Sequence, residues 1–320
     1  MGVATTLGLV LHPTKPVDDS IEAIVNWART HGITVVARSV DQQRVPTAVL
    51  CVDDRVFVDT VGGIVSLGGD GTMLGAMRLV WKHPVPVLGV NHGHLGFLIE
   101  ISPDELSSAL TQLVGGSFSI QPYGMIRASR TDETDAELRD EVAFNDVVLA
   151  GPAHGAAVTV DLSVGGAPYG YYRCDALVVA TPAGSTAYNY AAGGPNVSPL
   201  ATAMVMTPVA PMSGISRALV LSVRDIVSLQ VPHDSGGAQL RLDGVPGRPV
   251  TGTAALDLTY VPEAGQVVRL DSGLHARRKN VELSLLDLPL RPNELLEIAP
   301  PHVRERLRPG QAAAQASDKH

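Results

Sequence analysis

A glycine-rich segment, Gly68-Gly69-Asp70-Gly71-Thr72, constrains the fold more than any other feature of this sequence. It follows an apolar run, Val61 to Leu67, and precedes a stretch with helical spacing, Met73 to Val80. This order predicts a buried strand that enters a helix through a tight glycine turn. Glycines let backbone N–H groups approach an anion closely, and the following helix N-terminus adds partial positive charge. The segment is therefore either a plain turn of an α/β domain or a phosphate-binding loop.

Asp70 is the acidic residue of this segment, and its charge would repel a bound phosphate. Its expected task is to accept a proton from a hydroxyl or to hold a metal ion. The segment lacks the lysine and following Ser or Thr of a Walker loop, and its spacing differs from the dinucleotide fingerprint. A second glycine-containing loop, Thr181 to Tyr188, also follows an apolar run. Two such loops favour ligand binding over a plain turn.

Strand and helix patterns alternate along the first third of the chain. Beside the run before Gly68, they predict strands at Val3–Val10, Ile33–Ala37 and Val85–Val90, and helices at Asp18–Thr30, Met73–Trp81 and Pro103–Val114. Such alternation predicts an open, Rossmann-like α/β domain over residues 1–116. Ligands of these sheets gather at the carboxyl ends of the strands, where Asp70 and Asn91 would lie.

After Gly115-Gly116 the pattern changes to successive strands, which predicts a β-rich, β-sandwich-like domain over residues 117–275. The predicted strands are Met125–Arg130, Glu141–Leu149, Ala157–Val164, Asp175–Ala180, Leu219–Val223, Val227–Val231 and Ala238–Leu242. The charged segment Thr131–Asp140 is expected to be a solvated hairpin loop. We expect residues 276–300 to return to the first domain and residues 301–320 to form a disordered tail.

Composition limits the classes of partner. The chain has 320 residues and a formal charge of −8, with no basic cluster before Arg277-Arg278-Lys279, which argues against a nucleic-acid partner. Its two cysteines, Cys51 and Cys174, are far apart in sequence, which favours a reducing compartment over a disulfide framework. No run reaches the roughly 18 apolar residues of a membrane helix, and the apolar N-terminus lacks a basic leader. We therefore expect a cytoplasmic protein with no membrane partner.

The motifs together resemble those of the NAD kinase family, whose members phosphorylate the 2′-hydroxyl of the adenosine ribose of NAD to give NADP. The matching segments are Gly68–Thr72, Gly89–Leu98, Asn145-Asp146, Thr181–Tyr188, Gly193-Gly194-Pro195 and Asp243-Gly244, in that order. The resemblance implies NAD and ATP as substrates, with polyphosphate as an alternative donor, and a divalent metal ion, expected to be Mg²⁺. It also implies a homodimer or homotetramer, assembled through the β-rich domain that binds NAD. The motifs do not identify the metal ligands.

The resemblance further implies roles for individual residues. Asp70 is similar to the family's catalytic aspartate, which takes the proton from the ribose 2′-hydroxyl. Asn145-Asp146 resembles the pair that binds the dinucleotide, Thr186–Tyr188 the loop that holds adenine and ribose, and Arg173 with Asp175 a charged pair near the far end of the dinucleotide. The full set of residues expected to contact nucleotide is Gly68, Gly69, Gly71, Thr72, Asn91, Phe97, Asn145, Asp146, Arg173, Asp175, Ser185, Thr186, Ala187, Tyr188, Asn189 and Ala191.

Four features depart from the family pattern. Cys174-Asp175-Ala176 stands where Gly-Asp-Gly is usual, Ala183 replaces a threonine, Val245 replaces an amide, and Ala156 falls where a polar or basic residue is expected. Each lost neutral hydrogen bond would cost about 1 kcal/mol of binding. Asp243-Gly244 is also a typical two-residue hairpin signal.

These departures leave a second hypothesis open, a catalytically weak regulatory paralogue that binds NAD or NADP. A third hypothesis is a lipid or sugar kinase that shares only the first loop. The segments Thr181–Tyr188 and Asn145-Asp146 count against that third hypothesis. His92 and His94 lie two residues apart, but no nearby cysteine or further acidic ligand favours a metal pair there.

Overall fold

The computed structural model describes residues 5–93, 96–133, 140–152, 156–250 and 255–271. Its helices are α1 (Asp18–His31), α2 (Asp54–Thr60), α3 (Asp70–Leu79), α4 (Leu106–Gly115) and α5 (Tyr188–Ala191). Its strands are β1 (Thr6–Leu11), β2 (Thr34–Arg38), β3 (Leu50–Val52), β4 (Gly63–Gly68), β5 (Pro86–Asn91), β6 (Ser119–Arg130), β7 (Asp140–Ala143), β8 (Asp146–Ala150), β9 (Val158–Val164), β10 (Ala167–Cys174), β11 (Ala176–Ala180), β12 (Ala203–Val209), β13 (Ser213–Gly214), β14 (Leu219–Ser222), β15 (Val227–Gln230), β16 (Gln239–Leu242), β17 (Val245–Pro246) and β18 (Ala255–Arg269).

The N-terminal strands form a parallel array in the order β3-β2-β1-β4-β5. Alternate side chains of β1 point to opposite faces, as the two-residue period of a strand requires. Leu7 and Leu9 pack with Ile24 of α1 and Leu110 of α4, whereas Val10 packs on the other face with the cluster that contains α2 and α3. This three-layer arrangement confirms the predicted open α/β architecture.

Helix α1 shows how closely local pattern determines these elements. Its inner face carries Ile21, Ile24 and Trp27, spaced by three residues and buried. Two acidic residues in its first turn complement the helix dipole. Gly32 ends the helix with a left-handed φ of 67°. The predicted span, Asp18–Thr30, is confirmed to within one residue.

Strand β18 joins this array to the β-rich part of the chain. Near its end, Gln266 and Val267 pair in parallel with β5, while most of the strand pairs antiparallel with β6 and β15. Within the described residues these strands belong to one twelve-stranded sheet. The sequence analysis did not predict β18, which follows the last predicted strand at Ala238–Leu242.

A second, antiparallel sheet has the order β14-β12-β11-β8-β16-β17. It packs against the antiparallel part of the first sheet around buried residues such as Tyr172, Leu177, Met206 and Leu258. This confirms the predicted β-sandwich-like C-terminal region. The division at residues 116 and 117 stays a prediction, and the segments 276–300 and 301–320 lie outside the described residues.

The predicted single strand Glu141–Leu149 is wrong, because the chain changes sheet within it. Strand β7 pairs with β6 in the first sheet, and β8 pairs with β11 and β16 in the second. Phe144 and Asn145 form the crossing between them. A continuous apolar run does not distinguish one strand from two when both ends are buried. Among the described helices, none combines the length and apolar character needed to cross a membrane.

Candidate active site

The glycine segment forms the turn between β4 and α3, as predicted, but the helix begins earlier than expected. Asp70 is the first residue of α3, whereas the sequence placed the start at Met73. Gly69 precedes the helix in an extended conformation and accepts the backbone N–H groups of Thr72 and Met73. A side chain at Gly68 would collide with the hydroxyl of Thr72, so this close turn requires glycine.

The Asp70 carboxyl is held by backbone groups of a neighbouring loop. Its Oδ2 accepts the N–H of Phe97 at 2.9 Å, and its Oδ1 accepts the N–H of Leu98 at 3.0 Å. A Cβ at Gly96 would collide with this carboxyl, so the loop approaches only because residue 96 is glycine. Both oxygens are thus oriented by the loop that follows β5.

Burial raises the pKa of the Asp70 carboxyl above its ordinary value. The N–H groups of Leu98 and Phe97, and the positive charge of Arg269, act in the opposite direction. A carboxyl with raised proton affinity is better matched to general-base chemistry near neutral pH than an ordinary aspartate. The structure also confirms that Asn91 lies beside the loop, because Asn91 and Gly68 are paired at the ends of β5 and β4.

Asp243 organises the crossing between the two sheets. Its carboxylate accepts the backbone N–H groups of Phe144 at 3.1 Å, Asn145 at 2.6 Å and Asp146 at 3.2 Å. It also forms an ion pair with Arg78 of α3 at 2.6 Å. The hairpin predicted from Asp243-Gly244 is present, since the turn joins β16 to β17 with positive φ at both residues. The hairpin and the site therefore use the same residue.

Asp146 is buried close to this carboxylate. Burial, followed by the negative charge of Asp243, raises the pKa of Asp146 to about 7, and the backbone N–H of Tyr188 acts in the opposite direction. Near neutral pH this carboxyl therefore exists in both protonation states. Its protonated form can donate a hydrogen bond, whereas an ordinary aspartate is ionised at that pH and can only accept one.

The second predicted loop packs directly on the crossing. Thr181 donates its hydroxyl hydrogen to the carbonyl of Phe144 at 2.7 Å, and its backbone N–H to the carbonyl of Asn145 at 2.8 Å. Ser185 and Asn189 form hydrogen bonds within the protein. The Ser185 hydroxyl donates to the carbonyl of Pro182. The Asn189 amide donates to the carbonyls of Ser185 and Pro195 and accepts the hydroxyl hydrogen of Thr207.

Two cavities meet at Asp243. The smaller, of about 290 Å³, is lined by Asn145, Asp146, Val148, Ala187, Tyr188, Arg241, Asp243 and Gly244. The larger, of about 650 Å³, is lined by Val10, Leu11, His12, Pro13, Lys15, Arg38, Gly69, Gly71, Thr72, Gly75, Arg78, Leu79, Asp243 and Val245. The larger cavity is lined by Lys15, Arg38 and Arg78, together with His12 and the shared Asp243. Besides the shared Asp243, the smaller cavity has one carboxyl, one amide, one guanidinium and one aromatic ring. Their linings suit an anionic ligand and a nucleoside, respectively.

Several predicted contact residues lie outside these linings. Arg173 is exposed on β10, where it pairs with Thr159 and Ser213, and Asp175 follows that strand. Thr186 and Ala191 flank the lining residues Ala187 and Tyr188 without being part of either lining. The Asp70 carboxyl is turned toward Phe97 and Leu98, while its neighbours in the loop line the larger cavity. Lys15 and Arg78 were not predicted as site residues, and Asp243 was predicted only as part of a matching family segment that also signals a hairpin.

The departures from the family pattern cause no backbone strain. Ala176 lies in β11, paired with Ala150 and Val209, and neither it nor Ala183 has a positive φ. Alanine can therefore replace the family's glycine at position 176. Val245 lines the larger cavity and is about half exposed. Across the described ranges, no group of three or more His, Cys, Asp or Glu side chains is arranged to hold a metal ion, and His94 lies outside those ranges.

Comparison with known proteins identifies both parts of the fold. A family model described as the ATP-NAD kinase N-terminal domain matches residues 7–118, and one described as the ATP-NAD kinase C-terminal domain matches residues 144–270. The NAD kinase of Heliobacterium modesticaldum is 37% identical over 207 residues, which cover 65% of this chain and 73% of that protein. The NAD kinase of Moorella thermoacetica is 32% identical over 82% of this chain and 84% of that protein.

Two solved structures share the fold. The yeast NADH kinase complexed with NADH aligns with a TM-score of 0.75 and 22% identity, covering 89% of each chain. The NAD kinase from Archaeoglobus fulgidus in complex with ATP aligns with a TM-score of 0.64 and 22% identity, covering 85% of this chain and 96% of that one. At this level of identity the likeness concerns the fold alone.

We expect Asp146→Asn to change how stability depends on pH. The pKa of Asp146 is raised from 3.8 to about 7 on folding, so the folded state binds this proton more tightly. Wild-type stability should therefore fall as the pH rises between those two values and level off above the second. The variant lacks this titration. Its free energy of unfolding should therefore rise relative to that of the wild type by up to a few kcal/mol as the pH increases across that range.

Urea denaturation at several pH values between about 4 and 8 measures this difference, because that range spans the ordinary and the raised pKa of Asp146. Asp161→Asn, at an exposed aspartate of β9, is the matched control. A difference between Asp146→Asn and wild type that stays constant with pH would contradict the prediction.

Proposed function

The chain belongs to the NAD kinase family, and we propose that it transfers the terminal phosphate of ATP to the 2′-hydroxyl of the adenosine ribose of NAD, with Asp70 as the base. The observation that carries the role of Asp70 is its placement. It opens α3 within the glycine loop, with both oxygens oriented by backbone N–H groups and with raised proton affinity. A base of this kind suits removal of a hydroxyl proton.

The smaller cavity supports binding of the acceptor nucleotide. Asn145 and Asp146 supply donors and acceptors at one side, and the half-exposed ring of Tyr188 and the methyl group of Ala187 supply apolar surface. Adenosine needs this combination, because its ribose hydroxyls require hydrogen bonds and its base requires an apolar or aromatic surface. We therefore assign Asn145, Asp146, Ala187 and Tyr188 to NAD.

The larger cavity supports binding of the phosphoryl donor. Gly69, Gly71 and Thr72 present the start of α3 to it, and Lys15, Arg38 and Arg78 add positive charge. A triphosphate carries several negative charges and is bound by backbone N–H groups at a helix N-terminus together with basic side chains. Polyphosphate would meet the same groups. Because Asp243 lines both cavities, the donor and acceptor would approach one another there.

A divalent ion fits this arrangement if ATP brings it. Mg²⁺ is usually bound by one or two carboxylates together with substrate phosphates and water. That mode does not require a preformed cluster of protein ligands, and the described residues hold none. When bound, Mg²⁺ would neutralise charge on the transferring phosphate.

The proposed reaction moves one proton and one phosphoryl group. Asp70 accepts the proton of the ribose 2′-hydroxyl, and the 2′-oxygen forms a bond to the terminal phosphorus of ATP. The bond from that phosphorus to its bridging oxygen breaks, and ADP leaves with the electron pair. Arg78 and Lys15 line the donor cavity where negative charge would shift toward the leaving group. The protein contributes mainly position and charge, as expected for phosphoryl transfer.

We expect Asp70→Asn to lose most turnover while remaining folded. The asparagine can still accept one of the two backbone N–H groups but cannot take the proton, so kcat should fall by roughly 10²–10⁴. Formation of NADP from NAD, ATP and Mg²⁺, read by an NADP-specific dehydrogenase, measures this. Wild-type turnover in the variant would contradict the assignment of the base. Saturable NAD binding by the wild type without any NADP formation would instead favour the regulatory paralogue.

We expect Lys15→Ala to weaken use of the donor selectively. Its ammonium lies against Gly93 at the donor cavity, whereas Arg38 and Arg78 are already paired with Asp54 and Asp243. Loss of a charged hydrogen bond to phosphate should raise KM for ATP by about tenfold or more. Steady-state kinetics with each substrate varied would show KM for NAD nearly unchanged.

Lys82→Ala is the matched control, because Lys82 is exposed and lies over Trp81 instead of lining the cavity. A KM for ATP that stays at the wild-type value in Lys15→Ala would contradict assignment of the larger cavity to the donor.

We also propose a homodimer or homotetramer that associates through the β-rich region. Large side chains are exposed there, with Tyr169 at 55% and Tyr171 at 44% on β10, and Met212 at 57% beside that strand. Exposed aromatic and methionine side chains grouped in this way are typical of protein interfaces. Sedimentation equilibrium should show an assembly, and Tyr171→Glu should shift it toward the monomer. A monomer at working concentration would contradict the proposal.

A further inference from the structure

Arg269, the last residue of β18, is a buried cation that contacts the loop holding Asp70. Its side chain is 3% exposed. Its Nε donates to the side-chain carbonyl of Gln121 at 2.7 Å, and its Nη1 donates to Glu100 at 3.0 Å. Glu100 in turn accepts the backbone N–H of Leu270 at 2.8 Å. Burying a charge is costly, and these partners offset part of that cost.

Those remaining contacts are made to the backbone of two residues. Nη1 of Arg269 donates to the carbonyl of Leu98 at 3.2 Å, and Nη2 donates to the carbonyl of Phe97 at 3.0 Å. These are the two residues whose N–H groups hold the oxygens of Asp70. The guanidinium and the carboxyl therefore bind the same short segment through its carbonyl and N–H groups, respectively.

One peptide group connects the two side chains directly. The carbonyl of Phe97 and the N–H of Leu98 belong to the same planar amide. Arg269 donates to the oxygen of this amide, and the amide donates to Oδ1 of Asp70. Hydrogen bonds in such a chain polarise one another, so the cation strengthens the N–H as a donor to the carboxylate.

We propose that Arg269 is a positioning residue for the Asp70 base, acting through the peptide group between Phe97 and Leu98. The inference rests on the proposed function of Asp70. The fork of Arg269 fixes both carbonyls of the segment, and the segment fixes both oxygens of the carboxyl. A lysine could not make this set of contacts, because its single ammonium lacks the planar fork.

Arg269 also opposes protonation of the base. Its positive charge and the N–H groups of Phe97 and Leu98 oppose the rise in the pKa of Asp70 that burial causes. Within the described part of the chain, Arg269 is the charged side chain that acts on the Asp70 carboxyl, and Glu100 is its own ionic partner. Loss of Arg269 should therefore raise the pKa of Asp70 further and move the acid limb of kcat to higher pH.

Three variants test the inference. Glu100→Gln keeps the contacts of Arg269 to the segment and is the structural control. Arg269→Met combined with Glu100→Gln removes both charges, so no lone carboxylate stays buried. Arg269→Lys keeps the charge but loses the fork. For each variant we would measure thermal stability, KM for NAD and ATP, and the dependence of kcat on pH.

The inference predicts that both Arg269 variants lose about tenfold or more in kcat relative to their references, with KM values within about twofold. The reference is Glu100→Gln for the double variant and wild type for Arg269→Lys. The acid limb should move to higher pH in the double variant and stay in place in Glu100→Gln. If the double variant does not fold, Arg269→Lys alone tests the inference, which then requires a fall in kcat with KM unchanged.

If the double variant folds, an acid limb of kcat at the same pH together with an unchanged kcat would overturn the inference. If the double variant does not fold, a wild-type kcat in Arg269→Lys would overturn it. Inactivity of Asp70→Asn alongside that result would leave the proposed base intact. Full activity of Asp70→Asn would overturn the base itself, whatever the Arg269 variants show.

Discussion

The site depends first on the carboxylate of Asp243, which is completely buried as a side chain. It receives Arg78 from the helix after the glycine loop and three consecutive N–H groups, those of Phe144, Asn145 and Asp146. The chain crosses from one sheet to the other at that point, and these N–H groups donate to the carboxylate instead of to a neighbouring strand. Buried donors left unpaired would cost about 1–3 kcal/mol each. Asp243 thus stabilises the crossing and fixes its position relative to α3.

The same arrangement places three carboxyl groups in different surroundings. Asp243 is paired with a guanidinium, and its negative charge adds to burial in raising the pKa of its neighbour Asp146 to about 7. Asp70 is raised by burial but opposed by two N–H groups and Arg269. The pKa values of Asp70 and Asp146 are therefore both raised, but by different neighbours, which permits a base and a neutral hydrogen-bond donor to coexist near one ligand. The proposed roles of Asp70 and Asp146 follow from these environments.

The sequence predicted what depends on local pattern and missed what depends on distant partners. The α/β alternation, the helix α1 and the turn at Gly68 follow from periodicity and glycine placement. The change of sheet at Asn145 is invisible in a continuous apolar run, because only the pairing partners distinguish its two halves. Asp243 was read as a hairpin residue with a family role near the ligand, and its contacts to Arg78 and the crossing emerged from the fold. No sequence pattern indicated a role for Arg269, because its partner Phe97 lies 172 residues away along the chain.

The most direct test of the account is a crystal structure with NAD and a non-hydrolysable ATP analogue bound together. The account predicts that a carboxyl oxygen of Asp70 lies about 2.6–3.2 Å from the 2′-oxygen of the adenosine ribose. It also predicts that this oxygen faces the terminal phosphate, with the phosphates in the cavity lined by Lys15 and Arg78. A 2′-oxygen bound to another potential base, with Asp70 remote from it, would contradict the central claim.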